Sequence, residues 1–491
     1  MVIRQKFESG IAEGMEMDKT DKTILTSRDA AFRERSLNAP VWKVVLVTGA
    51  PLALYQGLQQ LFTILDTMMA AHISAESVSA VAYLAQVLLV IQSVGTGLSV
   101  GSGIQISRAF GTGDIPMVQK RVSTVYAMTA LLSGLVLLLL PFADPILRLS
   151  GTPEALIGVG TSYFRVQLLS TVCLLFDNVY IAVERARGNS GRILRLNLAV
   201  ILTKLSLTAW FVYVLNGNLV TIALASLLSN LLLLVLGVRN TLSGEGAFCF
   251  SAGSVTKEAA VVQPMLVTSF PSMLEKALFA FGKTIVNAMS TRYGALCVGA
   301  MGVSNNLGGI TTNPQNGFQD GGAAIISQNY GAGRYRRVVS AFAATSLISM
   351  LLGGVISGIE LANLNFLAGW FDSGNPEFHR LICLVYRYEA LGAIPLGLNA
   401  GALALFYGLG RTNLTLLVNL ARVFVFRIPV FWILGRIPGI GERACGIVML
   451  VSNAGTGVFS GILAIFVLRK FRKEHPEAFA AKEKQSRAHR A

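Results

Sequence analysis

Long apolar runs separated by short polar breaks fill most of the chain, and within the runs apolar and polar positions do not alternate. Runs of about 20 residues, long enough to cross a bilayer core of about 30 Å as helices, fall near 43–71, 80–107, 119–143, 155–184, 191–215 and 219–238. A second set lies near 258–290, 296–327, 337–359, 378–408, 412–435 and 445–468. Continuous stretches rich in Leu, Ala and Gly argue against a membrane β-barrel, whose strands alternate over segments of about ten residues. The pattern therefore predicts an all-α membrane protein, with about twelve transmembrane helices in two pseudo-symmetric six-helix bundles.

The two bundles read as copies of one another. Gly101, Ile106, Ser107, Gly111 and Gly113 recur as Gly321, Ile326, Ser327, Gly331 and Gly333, a spacing of 220 residues that also relates Pro51 to Pro271. An even number of crossings per copy inserts both the same way up, related by an axis along the membrane normal. The expected division is a cytoplasmic tail (1–42), a first lobe (43–240), a polar linker (241–256), a second lobe (257–470) and a cytoplasmic tail (471–491). Gly111, Gly113, Gly331 and Gly333 read as tight structural turns, because glycine adopts left-handed backbone cheaply. A phosphate cradle would need a preceding strand and a following Lys-Ser/Thr, and neither is there.

Composition supports this picture: 53% of residues are hydrophobic and 14% charged, against about 25% charged in a soluble domain. The net charge of +15 would suggest nucleic acid as a partner if the basic residues were not so placed. Arg108, Lys120, Arg121, Arg185, Arg187, Arg192, Arg334, Arg336 and Arg337 sit in alternate connections, on the side of the basic head and tail. Acids such as Asp144, Glu360, Asp372 and Glu377 are assigned to the opposite connections. Positively charged loops stay inside, which predicts a multi-pass protein of the cytoplasmic membrane with both termini cytoplasmic and no nucleic-acid partner. The polar head has no apolar core ending in a small-residue cleavage site, so no removable signal peptide is expected. Cys173, Cys249, Cys297, Cys383 and Cys445 are scattered without a Cys-x-x-Cys, and read as packing residues rather than metal ligands.

Several motifs occur in order along the chain: Asp66-Thr-Met-Met-Ala-Ala-His, the paired Ser-x-x-aromatic-Gly-x-Gly segments, and Arg187-Gly-Asn. Gly408-Leu-Gly-Arg-Thr-Asn and Arg422-Val-Phe-Val-Phe-Arg-Ile-Pro429 follow. With these, the chain resembles the MATE (multidrug and toxic compound extrusion) family over roughly 43–470. The resemblance implies two six-helix lobes around a central cavity that opens alternately to each side. It implies export of small organic compounds in exchange for protons or sodium, with no cofactor or bound metal beyond the coupling ion, and action as a monomer in the lipid bilayer.

Ionisable groups inside the spans are the candidate working parts, since each costs about 2.5–3.5 kcal/mol or more to insert at mid-bilayer. Asp66 is the one acid of the first span, and Thr63, Gln59 and Gln56 precede it at helical spacing on the same face. The resemblance makes Asp66 a cation-coupling carboxylate. In the fifth span the family's Asn-x-x-x-Asp pair falls on Lys204 and Thr208; a positive charge there weakens a sodium site and favours protons. In the seventh span Thr268, Ser272, Glu275, Lys283 and Asn287 share a face with Phe279, and Lys276 lies beside it. The tenth span adds Arg387, Glu389 and Asn399. Pairs Glu275–Arg387 and Lys276–Glu389 are expected, because unpaired buried charge is expensive; this cluster is either a structural network or a second coupling or substrate site, with Glu275 its candidate carboxylate. Arg422 and Arg427 read as anchors for helix ends, and His72 and His379 as solvated residues near outer helix ends.

The resulting expectation is a secondary active antiporter exporting cationic or amphipathic multidrug-type compounds, with protons favoured over sodium. Cationic grooves keep a lipid or glycolipid flippase as the alternative. An intramembrane enzyme would need His-Glu-x-x-His or paired aspartates, neither of which is evident, so the chain is read as non-enzymatic.

Overall fold

The computed structural model describes residues 25–71, 75–149, 154–242, 246–372 and 374–480. Helix α1 (Ser27–Asn38) precedes the first span and is capped by Thr26, whose hydroxyl accepts from the backbone N–H of Asp29 at 3.2 Å. The first lobe comprises α2 (Val41–Ala71), α3 (Ala75–Thr112), α4 (Ile115–Leu138), the short α5 (Ala143–Leu149), α6 (Glu154–Ala186), α7 (Ser190–Ala209) and α8 (Leu219–Leu242). The second comprises α9 (Ala259–Ser290), α10 (Ala295–Gly331), α11 (Tyr335–Ala362), the short α12 (Leu364–Gly369), α13 (Pro376–Leu391), α14 (Ala393–Gly408), α15 (Thr412–Phe424), α16 (Ile428–Leu434) and α17 (Arg443–Glu474). Each of the twelve apolar runs is thus helical.

Two runs are broken, and proline explains both. The tenth becomes α13 and α14, bent by 48°, because Pro395 offers no N–H to the carbonyl of Leu391 and its ring crowds that turn. The eleventh becomes α15 and α16, where Pro429 has the same effect on Val425. Among the described residues nine helices are long and apolar enough to cross a membrane, or ten with the bent pair. Helices α9 and α10 are as long but are not among them. Their polar residues line the cavities between and within the lobes, where they need not face lipid.

The duplication is visible in the packing. A Cβ added at Gly97 would lie 2.4 Å from the backbone of Met273, and one at Gly317 would lie 2.4 Å from the backbone of Ala53. A Cβ at Gly111 would lie 2.1 Å from Gln328 O, and one at Gly331 would lie 2.3 Å from Arg108 O. In each pair the second contact is the first shifted by 220 positions in both partners, the signature of a two-fold axis between the lobes. Gly113 and Gly333 follow with φ of 85° and 68°, the left-handed turns expected of them.

Contact between the lobes is concentrated at the end carrying α1 and these turns. There Arg185 on α6 pairs with Asp320 on α10 at 2.6 Å, Arg108 Nη2 donates to Leu409 O at 2.8 Å, and Ser327 donates to Ile104 O at 2.9 Å. Helix α1 lies across the seam. Arg33 donates to Phe110 O and Gly111 O of the first lobe at 2.8 and 3.0 Å, while Arg337 of the second donates to Ser36 O and Ala39 O at 2.9 and 2.7 Å. The polar stretch after α8 is also laid down on the first lobe: Ser251 N donates to Ser123 Oγ at 3.0 Å, and Phe248 packs on Phe110.

Candidate functional site

The first lobe encloses a cavity of about 350 Å³ between α2, α6, α7 and α8, with Tyr55, Gln59, Asn197, Lys204 and Asn230 in its wall. Asp177, on α6, lies in the same wall. It is 2% exposed, and neither carboxylate oxygen has a hydrogen-bond partner among the described residues. A buried, unsatisfied carboxylate is costly, and here it faces space large enough to hold water or an ion. Asp177 is not among the residues expected from the sequence, although an acid within the apolar run Cys173–Ile181 meets the criterion that singles out Asp66.

The Asp66 backbone belongs to α2, but its side chain lies outside the described residues, as does His72. Of its expected neighbours, Gln59 and Thr63 line the cavity. Gln56 turns instead to the seam, where Nε2 donates to Asp320 Oδ2 at 3.3 Å. Lys204 lines the cavity, and Thr208, one turn on, is buried.

In the second lobe Glu275 is 2% exposed and well satisfied. Tyr407 donates to its two oxygens at 3.0 and 2.9 Å, Thr415 Oγ1 at 2.6 Å and Asn419 Nδ2 at 3.0 Å, with Lys276 Nζ 3.5 Å away. One carboxylate thereby ties α9 to α14 and α15. The expected pairs Glu275–Arg387 and Lys276–Glu389 are not formed, because two steps along α13 turn Arg387 and Glu389 to opposite sides, leaving Arg387 exposed and outside the cavities while Glu389 accepts from Ser304. Ser272 is buried, donating to Thr268 O at 3.2 Å rather than lining a cavity.

Glu360 needs a correction of another kind. Assigned by sequence to an outer connection, it lies within α11, 4% exposed, where it accepts from Thr311 at 2.5 Å and from Tyr386. His379 does sit at a helix end, paired with Asp372 at 2.7 Å. The Gly374 N–H and His379 together hold the Asp372 carboxyl below its usual range.

Away from the seam the lobes part. A cavity of about 430 Å³ has Gln92, Ser93 and Thr96 of α3 on one side and Phe279, Lys283 and Asn287 of α9 on the other. A second, of about 300 Å³, reaches deeper into the second lobe between Gln60, Asn313, Glu389, Asn399 and Arg422. Phe279, Lys283, Asn305 and Arg427 line both, so the two are adjoining chambers. The helix breaks place the arginines: Arg427 stands at the turn that Pro429 imposes, 3% exposed, its Nε donating to Ser452 Oγ at 2.8 Å. Arg422 Nη2 donates to Asn453 Oδ1 at 2.8 Å. Lys283 and Arg422 each lie 5.5 Å from the ring centre of Phe279. Beyond the anchoring expected of them, both arginines also line a cavity. Among the described residues no group of three or more His, Cys, Asp or Glu side chains could hold a metal.

Membrane-length helices in two symmetry-related lobes, joined at one end and parted around polar chambers at the other, define a multi-pass membrane transporter. The chain belongs to the MatE family, which it matches over residues 51–210 and 271–433. Among similar proteins are "Probable multidrug resistance protein YpnP" of Bacillus subtilis (strain 168), 24% identical over 61% of this chain and 67% of that protein, and "Multidrug export protein MepA" of Staphylococcus aureus (strain NCTC 8325 / PS 47), 21% identical over 62% and 68%. In fold it is similar to an outward-facing multidrug resistance MATE family transporter of the MOP superfamily, with a TM-score of 0.86, 17% identity, and coverage of 92% of this chain and all of the other. A MATE crystallised with MaL6 gives a TM-score of 0.86 at 17% identity, covering 91% of this chain and 100% of that one.

Proposed function

We propose that this protein is a secondary active antiporter of the cytoplasmic membrane that exports small amphipathic organic compounds of the multidrug type in exchange for protons. Its relatives carry multidrug resistance and export in their names. With both termini cytoplasmic, as the loop charges favour, the closed seam faces the cytoplasm and the chambers face outward. Protonation of Asp177 and Asp66 from the outer side then removes their charge, lowers the cost of enclosing them, and biases the lobes toward the inward-facing arrangement. Release of the proton to the cytoplasm restores the carboxylate and favours return.

The observation that carries this reading is Asp177: a buried carboxylate without a hydrogen-bond partner among the described residues, in a cavity wall that also bears Lys204, is suited to taking and giving up a proton. A sodium ion would share that wall with Lys204. The test is uptake of a fluorescent substrate by everted vesicles under an imposed proton or sodium gradient. Asp177→Asn and Asp66→Asn should each abolish proton-driven uptake while the protein still inserts. Sodium-driven uptake without a pH gradient, or unchanged pumping by both variants, would sink proton coupling.

A further inference from the structure

We propose that the second-lobe chamber is an anion-recognition site, so that the exported compound carries a carboxylate, phosphate or sulfonate group. This rests on the transport reading above but not on its coupling ion. Lys283, Arg422 and Arg427 all line one chamber, whose single acid among the described residues is Glu389. Among the described residues none of these cations lies within 4.0 Å of a carboxylate, and Glu389 is engaged by Ser304.

The chain does neutralise other cations within the bundle. Lys276 is beside Glu275, and Arg185 meets Asp320. The chamber cations are treated differently: Arg427 and Arg422 are held by the neutral groups of Ser452 and Asn453 on α17. Such partners fix the direction of a guanidinium without cancelling its charge. Unpaired positive charge in a membrane protein is costly, and a counter-charge brought by the ligand relieves that cost.

The chemistry of the wall points the same way. Guanidinium groups present a planar fork of donors that matches the oxygens of carboxylate, phosphate or sulfonate. Arg422 Nε is buried without a partner, a donor still to be used. Asn305, Asn313 and Asn399 add amides to the same wall. Phe279, close to two of these cations, offers an apolar plate to the organic part of the ligand. An organic cation would instead meet three positive groups and one occupied carboxylate. The cationic substrate expected from sequence therefore gives way to an amphipathic anion.

Fluorescein and rhodamine 6G test this, because they share a xanthene ring system but are anionic and cationic at pH 8. Binding of each to the purified, full-length protein in detergent is followed by fluorescence anisotropy. Fluorescein should bind at least tenfold more tightly than rhodamine 6G, with an affinity that falls as salt is added. Arg427→Gln should weaken fluorescein tenfold or more and rhodamine 6G less than twofold. Lys283→Gln should do the same, and because Lys283 makes no hydrogen bond among the described residues, its variant separates ligand loss from misfolding. Arg427→Lys should recover part of the affinity. Equal or tighter binding of rhodamine 6G, or fluorescein binding unaltered in both glutamine variants, would overturn the proposal. In proteoliposomes, a comparison of entrapped fluorescein with fluorescently labelled phosphatidylglycerol separates the sources of the anion: efflux of the dye marks a free solute, and transbilayer movement of the lipid marks a head group. Because binding needs no ion gradient, failure of proton coupling would leave this result standing.

Discussion

Replacing Gly111 with alanine should pry the closed seam apart. The added methyl would stand 2.1 Å from Gln328 O, whereas non-bonded atoms rest about 3.5 Å apart, so the helices must separate locally by about 1 Å or more. Overpacking of this kind costs roughly 1–3 kcal/mol. Alanine also stabilises a helix by about 1 kcal/mol relative to glycine, but α3 remains helical whichever way the lobes face, so that gain cancels between the two arrangements. The remaining penalty falls on the closed seam alone, and shifts the equilibrium toward the opened one by about 5- to 150-fold. A cysteine replacing the buried Ser107, in a background without the five native buried cysteines, reports the change. Its labelling by a membrane-impermeant maleimide, applied from the cytoplasmic face of everted vesicles, should accelerate by at least fivefold at the lower bound of the same range. Gly331→Ala should match it, because Gly331 meets Arg108 O as Gly111 meets Gln328 O. The double variant should fall short of the summed effect, since a seam opened by one methyl already accommodates the other. Unchanged labelling in both single variants would refute the view that these paired glycines hold the seam shut.

Two further outcomes follow from contacts within the second lobe and at the seam. Glu275→Ala leaves the buried Tyr407 hydroxyl without its acceptor, while Thr415 and Asn419 keep the carbonyls of Thr412 and Thr415, and should cost about 1–3 kcal/mol. It should lower the melting temperature in detergent far more than Glu275→Gln, and an unchanged melting temperature would remove this carboxylate from the fold's support. Arg337→Gln removes two charge-assisted bonds to the carbonyls of Ser36 and Ala39, each worth about 1.5–3 kcal/mol. Helix α1 should lift from the seam and be clipped by protease at least tenfold faster, and equal cleavage rates would show that Arg337 does not hold it.

The sequence by itself determined the bilayer as solvent, the twelve helical runs and the doubling of the chain, because each is written in local hydropathy or in a fixed spacing of glycines and prolines. It also marked the residues too expensive to be idle: Asp66 and Glu275 stand out as charges among apolar neighbours without any structure, and Asp177 could have been found by the same rule. Partnership was not legible in this way. One residue along a helix turns a side chain by about 100°, and the breaks before Pro395 and Pro429 reset that rotation partway along a span. Arg427 enters the chamber at such a break, Arg387 points away from Glu389 two residues on along one helix, Glu360 lies inside a helix rather than beyond its end, and Glu275 meets a tyrosine instead of an arginine. Only the packed helices decide which charges cancel. The three cations left uncancelled reveal the polarity of the chamber, because electrostatic cost depends on distances through space that position along the chain does not encode.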